Sequence, residues 1–297
     1  MARIRILKPF NKMNVSRKAI DFFGAIRFQE SIFALPFAYT GMILASDGMP
    51  NLGKFLFITI AMISARTIGM VANRVIDREI DAKNPRTKNR HLPSGLLKSI
   101  DLIIPAALCS IIFFWSALQL NKLSFYLAPL AIGYLILYPY SKRYTWASNI
   151  LLGWALAIAP SAAWIGVEGT LTLQPVLLSF SVAAWASSFD ILYHCQDLNF
   201  HKKAGLHSVA STFGVVNSFR ISKTLDMISV VGLVWLGIWM NLETFYFVGC
   251  LVAASLLAYK YVLVKPHDLS KMGLAFMRIN AFVSTAILLG TLTSVII

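Results

Sequence analysis

The sequence predicts an all-α, multi-pass membrane protein, and three observations carry that reading. Of 297 residues, 57% are hydrophobic and only 13% are charged, with a mean hydropathy of +0.67. Soluble domains carry roughly 25% charged residues, so this much apolar surface calls for a bilayer rather than one soluble core. Apolar stretches long enough to cross a membrane recur along the chain with short polar breaks between them. The basic residues gather in alternate breaks, as loops on one side of a membrane do.

Nine helices follow in order. The first spans 22–46. The second, 52–76, contains "KFLFITIAMISARTIGMVA" and runs straight into a densely charged stretch. Segments 98–119 and 123–140 are separated too briefly for anything but an antiparallel hairpin, and 225–241 with 243–264 form another. Between the two hairpins lie 146–167 and 173–196, and 274–296 closes the chain. No break is long enough to fold alone, so residues 1–297 read as a single transmembrane domain. The N-terminal "MARIRILKPFNKMNVSRKAI" lacks a short apolar core followed by a small-residue cleavage site. It reads as a basic cytoplasmic arm, residues 1–20.

Orientation comes from the Lys and Arg distribution. The arm holds six and the stretch from Asp77 to Lys98 another six, whereas the opposite breaks have only Lys54 and Lys122. This places the N-terminus and the long breaks in the cytoplasm and the C-terminus outside. Topology thus accounts for much of the net charge of +14. No aromatic-interleaved basic domain and no zinc spacing point to a nucleic-acid partner. Cys109, Cys195 and Cys250 are odd in number, far apart and set in apolar runs, so they form no disulfide framework or metal cluster.

Topology does not account for two acidic clusters. Asn73, Asp77 and Asp81 stand at i, i+4 and i+8, one helical face if the second helix continues through them. Carboxylates four apart repel, and a bound cation reverses that sign. One or two carboxylates together with phosphate oxygens suit Mg²⁺. The sixth helix ends in "SSFDILYHCQDLNFHKKAGLHS", where Asp190, Tyr193, Asp197 and His201 form a second stripe. Asp190 lies in an apolar run, where an ionisable side chain is costly and usually faces a polar cavity. Both clusters end even-numbered helices, so they share one membrane face. Two acidic stripes ringed by Arg and Lys describe a diphosphate held through Mg²⁺.

At these residues the chain resembles the UbiA-type intramembrane aromatic prenyltransferases. "NRVIDREID" matches their N-x-x-x-D-x-x-x-D motif and "RTKNRHLPSG" the loop after it. "YPYSKRYT" (138–145), "QDLNFHKKAGLHS" and "IRFQESIFALPFAY" (26–39) resemble three further family stretches, in order. The resemblance implies nine helices around a central cavity opening near the cytoplasmic face. It implies Asn73, Asp77, Asp81 and Asp197 as Mg²⁺–diphosphate ligands. Arg27, Arg78, Lys142 and Arg143 become candidates for binding diphosphate or an acceptor carboxylate, with positive-inside anchoring as the plainer explanation. Tyr193 becomes a wall residue.

One position departs from the pattern: His201 stands where the second motif normally ends in Asp. Neutral imidazole is a poor Mg²⁺ ligand beside a carboxylate, so the second metal is expected to be weaker or held by other groups. His194 and His207 read as structural hydrogen-bonders. Arg66 and Arg278 sit nearer the membrane interior and no motif assigns them.

The implied reaction moves a polyprenyl group from its diphosphate to an aromatic acid such as 4-hydroxybenzoate, in ubiquinone- or menaquinone-type biosynthesis. Asp190 or a diphosphate oxygen would take the ring proton, and Arg143 would pair with the acceptor carboxylate. Within the family, the acceptor could instead be another quinone precursor, a chlorophyllide, a haem or a glycerol lipid. A cation-coupled transporter is the rival from another class, disfavoured because transporter acids sit near the midplane and these gather at one face.

Overall fold

A computed structural model describes residues 15–297, and its regular structure is almost entirely helical. The chain forms α1 (Val15–Ala25), α2 (Ser31–Ser46), α3 (Leu52–Ile76), α4 (Arg78–Lys83), α5 (Ser99–Leu120) and α6 (Lys122–Leu137). It continues through α7 (Ser148–Glu168), α8 (Leu173–His194), α9 (Leu198–Lys203), α10 (Val209–Trp239) and α11 (Thr244–Leu263). The short α12 (Met272–Leu274), a π-helical turn (Ala275–Ile279) and α13 (Asn280–Ile296) complete it.

Eight spans among the described residues are long and apolar enough to cross a membrane. The segment Leu35–Ser46 is apolar but shorter. The expected count of nine is therefore met only by including this short helix.

Three expected boundaries need correction. The first predicted helix, 22–46, is broken: Arg27 takes a φ of 48°, in the left-handed region, and separates α1 from α2. A non-glycine residue there costs roughly 1–2 kcal/mol, and hydropathy carries no trace of it. Part of the expected 1–20 arm lies outside the described residues, while 15–20 already belong to α1. The seventh helix starts at Val209 rather than 225, with a kink at Gly214 (φ 77°, ψ 169°) that a side chain would strain. Both short-break hairpins appear as expected. Asn121 ends α5 and caps α6, its side chain accepting from Ser124 N at 2.8 Å.

The organising element is α8. Every residue from Ser181 to Leu192 is buried, with α7 on one side and α10 on the other. Small residues permit this, as they do between membrane helices generally. A Cβ on Gly153 of α7 would collide with Ser187 and the Ala183 carbonyl, and one on Gly232 of α10 with Ser181. The central helix is thereby locked from both sides, and its acid-bearing end is held in place.

Candidate active site

The end of α3 sets the first acidic group. Although the helix breaks at Asp77, the bonds Asp77 N to Asn73 O (3.0 Å) and Asp81 N to Asp77 O (2.7 Å) preserve the i−4 pattern. The stripe anticipated for an unbroken helix therefore survives the break. Both aspartates are buried. Lys142 binds Asp77 Oδ2, and Arg143 Nη2 lies 3.9 Å from Oδ1 while donating to the Ile76 carbonyl at 2.7 Å. Arg90 Nη1 bonds both oxygens of Asp81, at 2.8 and 2.7 Å. Asn73 Oδ1 accepts from Arg74 Nη1 at 3.4 Å.

The second cluster faces the first. Asp197 is buried, and Arg86 grips it bidentately, Nε to Oδ1 at 2.8 Å and Nη2 to Oδ2. Asn84 Nδ2 adds a bond at 3.2 Å. Arg86 also donates to the Tyr193 hydroxyl at 2.7 Å and lies 4.7 Å from that ring's centroid. Residues of the 84–90 loop thus bridge both clusters: Arg90 holds Asp81 while Arg86 and Asn84 hold Asp197. Asp190 is held differently, accepting from Asn149 Nδ2 at 2.7 Å with His194 Nδ1 3.1 Å away. His201 is buried, its ring centroid 5.3 Å from that of His194.

Two backbone amides tie the "GLHS" stretch to the 138–149 segment. His207 N donates to the Lys142 carbonyl at 2.7 Å, and Val209 N to Asn149 Oδ1 at 3.0 Å. The Ser148 hydroxyl adds a bond to the His207 carbonyl at 3.0 Å. His207 acts here through its backbone. Stretches more than fifty residues apart in sequence are joined, and Lys142 is carried against Asp77.

Beside these clusters lies a cavity of about 610 Å³ built by α3, α5, α6, α7 and α8. Its walls are mostly Ala, Leu, Ile and Met, with Arg66, Tyr134, Tyr138 and Asp190 among its polar lining. The Tyr138 phenol stands in the field of Asp190, Asp77, Arg66 and Arg74. A second cavity of about 280 Å³ is lined by Arg27, Arg74, Arg86, Arg90 and His91 among others.

Most residues expected at the site converge on it. Arg78 does not: it is exposed and makes no ion pair among the described residues. Arg66 does reach the cavity, whereas Arg278 is exposed. Asn84, Arg86, Arg90 and Asn149 carry no motif signal of their own in the sequence. The first three sit in or beside a recognised loop, but loop spacing cannot pair an arginine with a particular carboxylate.

The donor set suits a hard divalent cation. The grouped side chains offer carboxylate and amide oxygens, and Asp77 Oδ1 is buried with no hydrogen-bond partner. Burial pushes the Asp77 carboxyl up from its ordinary value, against the pull of Lys142, so a further positive charge would be stabilised there. Among the described residues, no three acidic, imidazole or thiol side chains converge as a ready-made cage. Mg²⁺ does not need one, since it usually takes one or two carboxylates and completes its shell with water and phosphate.

Comparison with known proteins agrees with this architecture. The UbiA prenyltransferase family model matches residues 34–283. A 4-hydroxybenzoate octaprenyltransferase from Vibrio cholerae is 32% identical over 254 residues, covering 86% of this chain and 89% of the relative. Another from Aliivibrio fischeri is 30% identical over 292 residues, covering 96% and 100%. The apo structure of a UbiA homolog from Aeropyrum pernix K1 superposes with a TM-score of 0.79 at 24% identity, covering 86% of this chain and 96% of its own. A UbiA homolog from Archaeoglobus fulgidus bound to GPP and Mg²⁺ gives 0.64 at 18% identity, covering 90% and 99%. At such identities the structures speak for the fold alone. The family match and the sequence relatives speak for more: this chain is a multi-pass membrane prenyltransferase and belongs to the UbiA prenyltransferase family.

Proposed function

We propose that the enzyme transfers a polyprenyl group from polyprenyl diphosphate to 4-hydroxybenzoate or a closely related aromatic acid, with Mg²⁺, in quinone biosynthesis. The observation that carries this reading is two buried acidic clusters joined through one loop, with Asp190 in the wall of an adjoining apolar cavity. The octaprenyltransferase relatives support the acceptor class. The Lys and Arg distribution supports placing this end at the cytoplasmic face.

Asn73, Asp77, Asp81 and Asp197 would hold Mg²⁺, and the ion, when bound, offsets charge on the leaving diphosphate. Lys142, Arg143, Arg86 and Arg90 bring positive charge to the same place, and Arg27 adds to it from the second cavity. Arg66 lines the cavity and Arg143 stands beside Asp77, and these two arginines are the candidates to orient an acceptor carboxylate. Tyr134 and Tyr138 present aromatic faces to the cationic allylic carbon, and the apolar walls exclude water from it. The allylic C–O bond breaks, its electron pair leaving with the diphosphate. A ring carbon ortho to the hydroxyl then forms the C–C bond, and the displaced ring proton passes to an Asp190 carboxylate oxygen. Asn149 and His194 keep that carboxylate turned toward the cavity.

Purified protein in nanodiscs, given Mg²⁺, geranyl diphosphate and 4-hydroxybenzoate, should yield geranylated hydroxybenzoate by mass spectrometry together with diphosphate. Product only with a chlorophyllide, haem or glycerol-lipid acceptor would overturn the acceptor assignment. Absence of diphosphate release with every acceptor would overturn the site.

A further inference from the structure

Away from the cavity, a second polar network is buried inside the bundle. Lys260 of α11 and Asp226 of α10 are both almost fully buried, with Nζ 2.7 Å from Oδ2. Lys260 also donates to Ser188 Oγ of α8 at 3.1 Å. The Tyr261 hydroxyl donates to Asp226 Oδ2 at 2.5 Å, and Ser222 Oγ lies 2.9 Å from that hydroxyl and 2.7 Å from Ser188 Oγ. Ser222 also bonds the Ser188 carbonyl at 3.0 Å. Three helices meet in this cluster, and none of its side chains lines the large cavity.

A buried ion pair is a poor device for stability alone. Desolvation offsets much of the attraction, and apolar residues of similar volume often serve packing as well or better. This network is also incompletely satisfied, since Asp226 Oδ1 is buried without a hydrogen-bond partner. What it does have is direction. Ser188 lies two residues before Asp190, so the two side chains point about 200° apart around α8. Asn149 and His194 hold the Asp190 face, while Lys260 and Ser222 hold the opposite face. Together they fix the rotation and height of the helix that delivers Asp190, Tyr193 and Asp197.

We infer that Lys260 and Asp226 are positioning residues for prenyl transfer, acting through Ser188 on the placement of the second acidic cluster. The inference rests on the proposed role of that cluster in the reaction. A shift of about 1 Å at reacting groups can lower turnover by up to a hundredfold, so partial release of α8 should be visible in kcat.

Ser188→Ala tests this with the smallest change, because it removes the hydroxyl that Lys260 grips while leaving the Lys260–Asp226 pair and the Ser222 bond to the residue-188 carbonyl in place. Steady-state kinetics with geranyl diphosphate and 4-hydroxybenzoate should show kcat reduced about tenfold, with KM for the diphosphate within about twofold of wild type. Lys260→Met/Asp226→Leu, which replaces the pair without stranding a charge, should show the same split while its melting temperature stays near wild type. A kcat for Ser188→Ala within about twofold of wild type would overturn the inference, whether or not the double variant folds. Asp197→Asn is measured alongside. If it loses activity while Ser188→Ala keeps it, only the positioning role fails; if Asp197→Asn is fully active, the site reading fails with it.

Discussion

Replacing Arg86 with glutamine removes the charge that holds the second acidic cluster when no substrate is bound. Two of its N–H bonds go to Asp197 and a third to Tyr193. A hydrogen bond to a charged group contributes about 1.5–3 kcal/mol. The Asp197 side chain is 4% exposed but that of Arg86 is 30% exposed, so solvent screening moves the figure toward the lower end, about 2 kcal/mol. At roughly 2–4 °C per kcal/mol for a chain of this size, the melting temperature should fall by about 4–8 °C in EDTA. Adding Mg²⁺ and a non-reactive geranyl diphosphate analogue should recover at least half of that deficit, because a cation then meets the Asp197 charge. Tryptophan fluorescence on heating reads both conditions. An equal deficit with and without ligand would refute the idea that Arg86 and the cation answer the same carboxylate.

Asp77→Ala should leave a folded protein whose prenyl transfer is nearly abolished; retention of more than about a tenth of the wild-type rate, only ~1.4 kcal/mol on the activation scale, would remove Asp77 from the ligand set. Arg143→Ala should harm turnover more than melting temperature, since the residue lies 3.9 Å from Asp77 rather than among exposed loop charges. Lys98→Ala is its control, and like behaviour of the two in steady-state assays would return Arg143 to simple membrane anchoring. His201→Asp should lower the Mg²⁺ concentration giving half-maximal activity, because it adds a hard oxygen donor to a buried position beside His194. An unchanged or weaker Mg²⁺ titration would exclude position 201 from the site.

Some of this was legible in the sequence and some was not, for identifiable reasons. The helix at 52–76 matches α3 because an unbroken apolar run meets a charged stop. The break at Arg27 is a backbone conformation that no hydropathy window senses. The first half of α10 lies outside the helix expected at 225–241 because Ser211, Asn217, Arg220 and Lys223 dilute its apolar character, although Ser208 caps it through Ser211 N at 3.1 Å. Helical spacing anticipated the i−4 backbone pattern that links Asn73, Asp77 and Asp81, whereas α8 ends at His194 and leaves Asp190 and Asp197 with separate partners. It could not reveal that Arg86 reaches a carboxylate 111 residues away, because an irregular loop has no period to read. Nor could it reveal Lys260 and Asp226, which look like isolated charges until three helices are packed together.

The cavity wall has a consequence of its own. Phe113, Leu127, Ala131 and Leu135 come from the α5–α6 hairpin, the least buried pair of spans in the bundle, whereas the carboxylates stand at the ends of α3 and α8. Shape and chemistry are therefore carried by different parts of the chain. Substitutions along the hairpin can lengthen, narrow or reshape the greasy chamber while the lipid-facing side absorbs the change. The packed centre tolerates no such adjustment, since a single added methyl on Gly153 already meets backbone. On the proposed reading of this cavity as the prenyl site, a fold divided in this way can take up tails of new size by drift in one hairpin, with the polar end left intact.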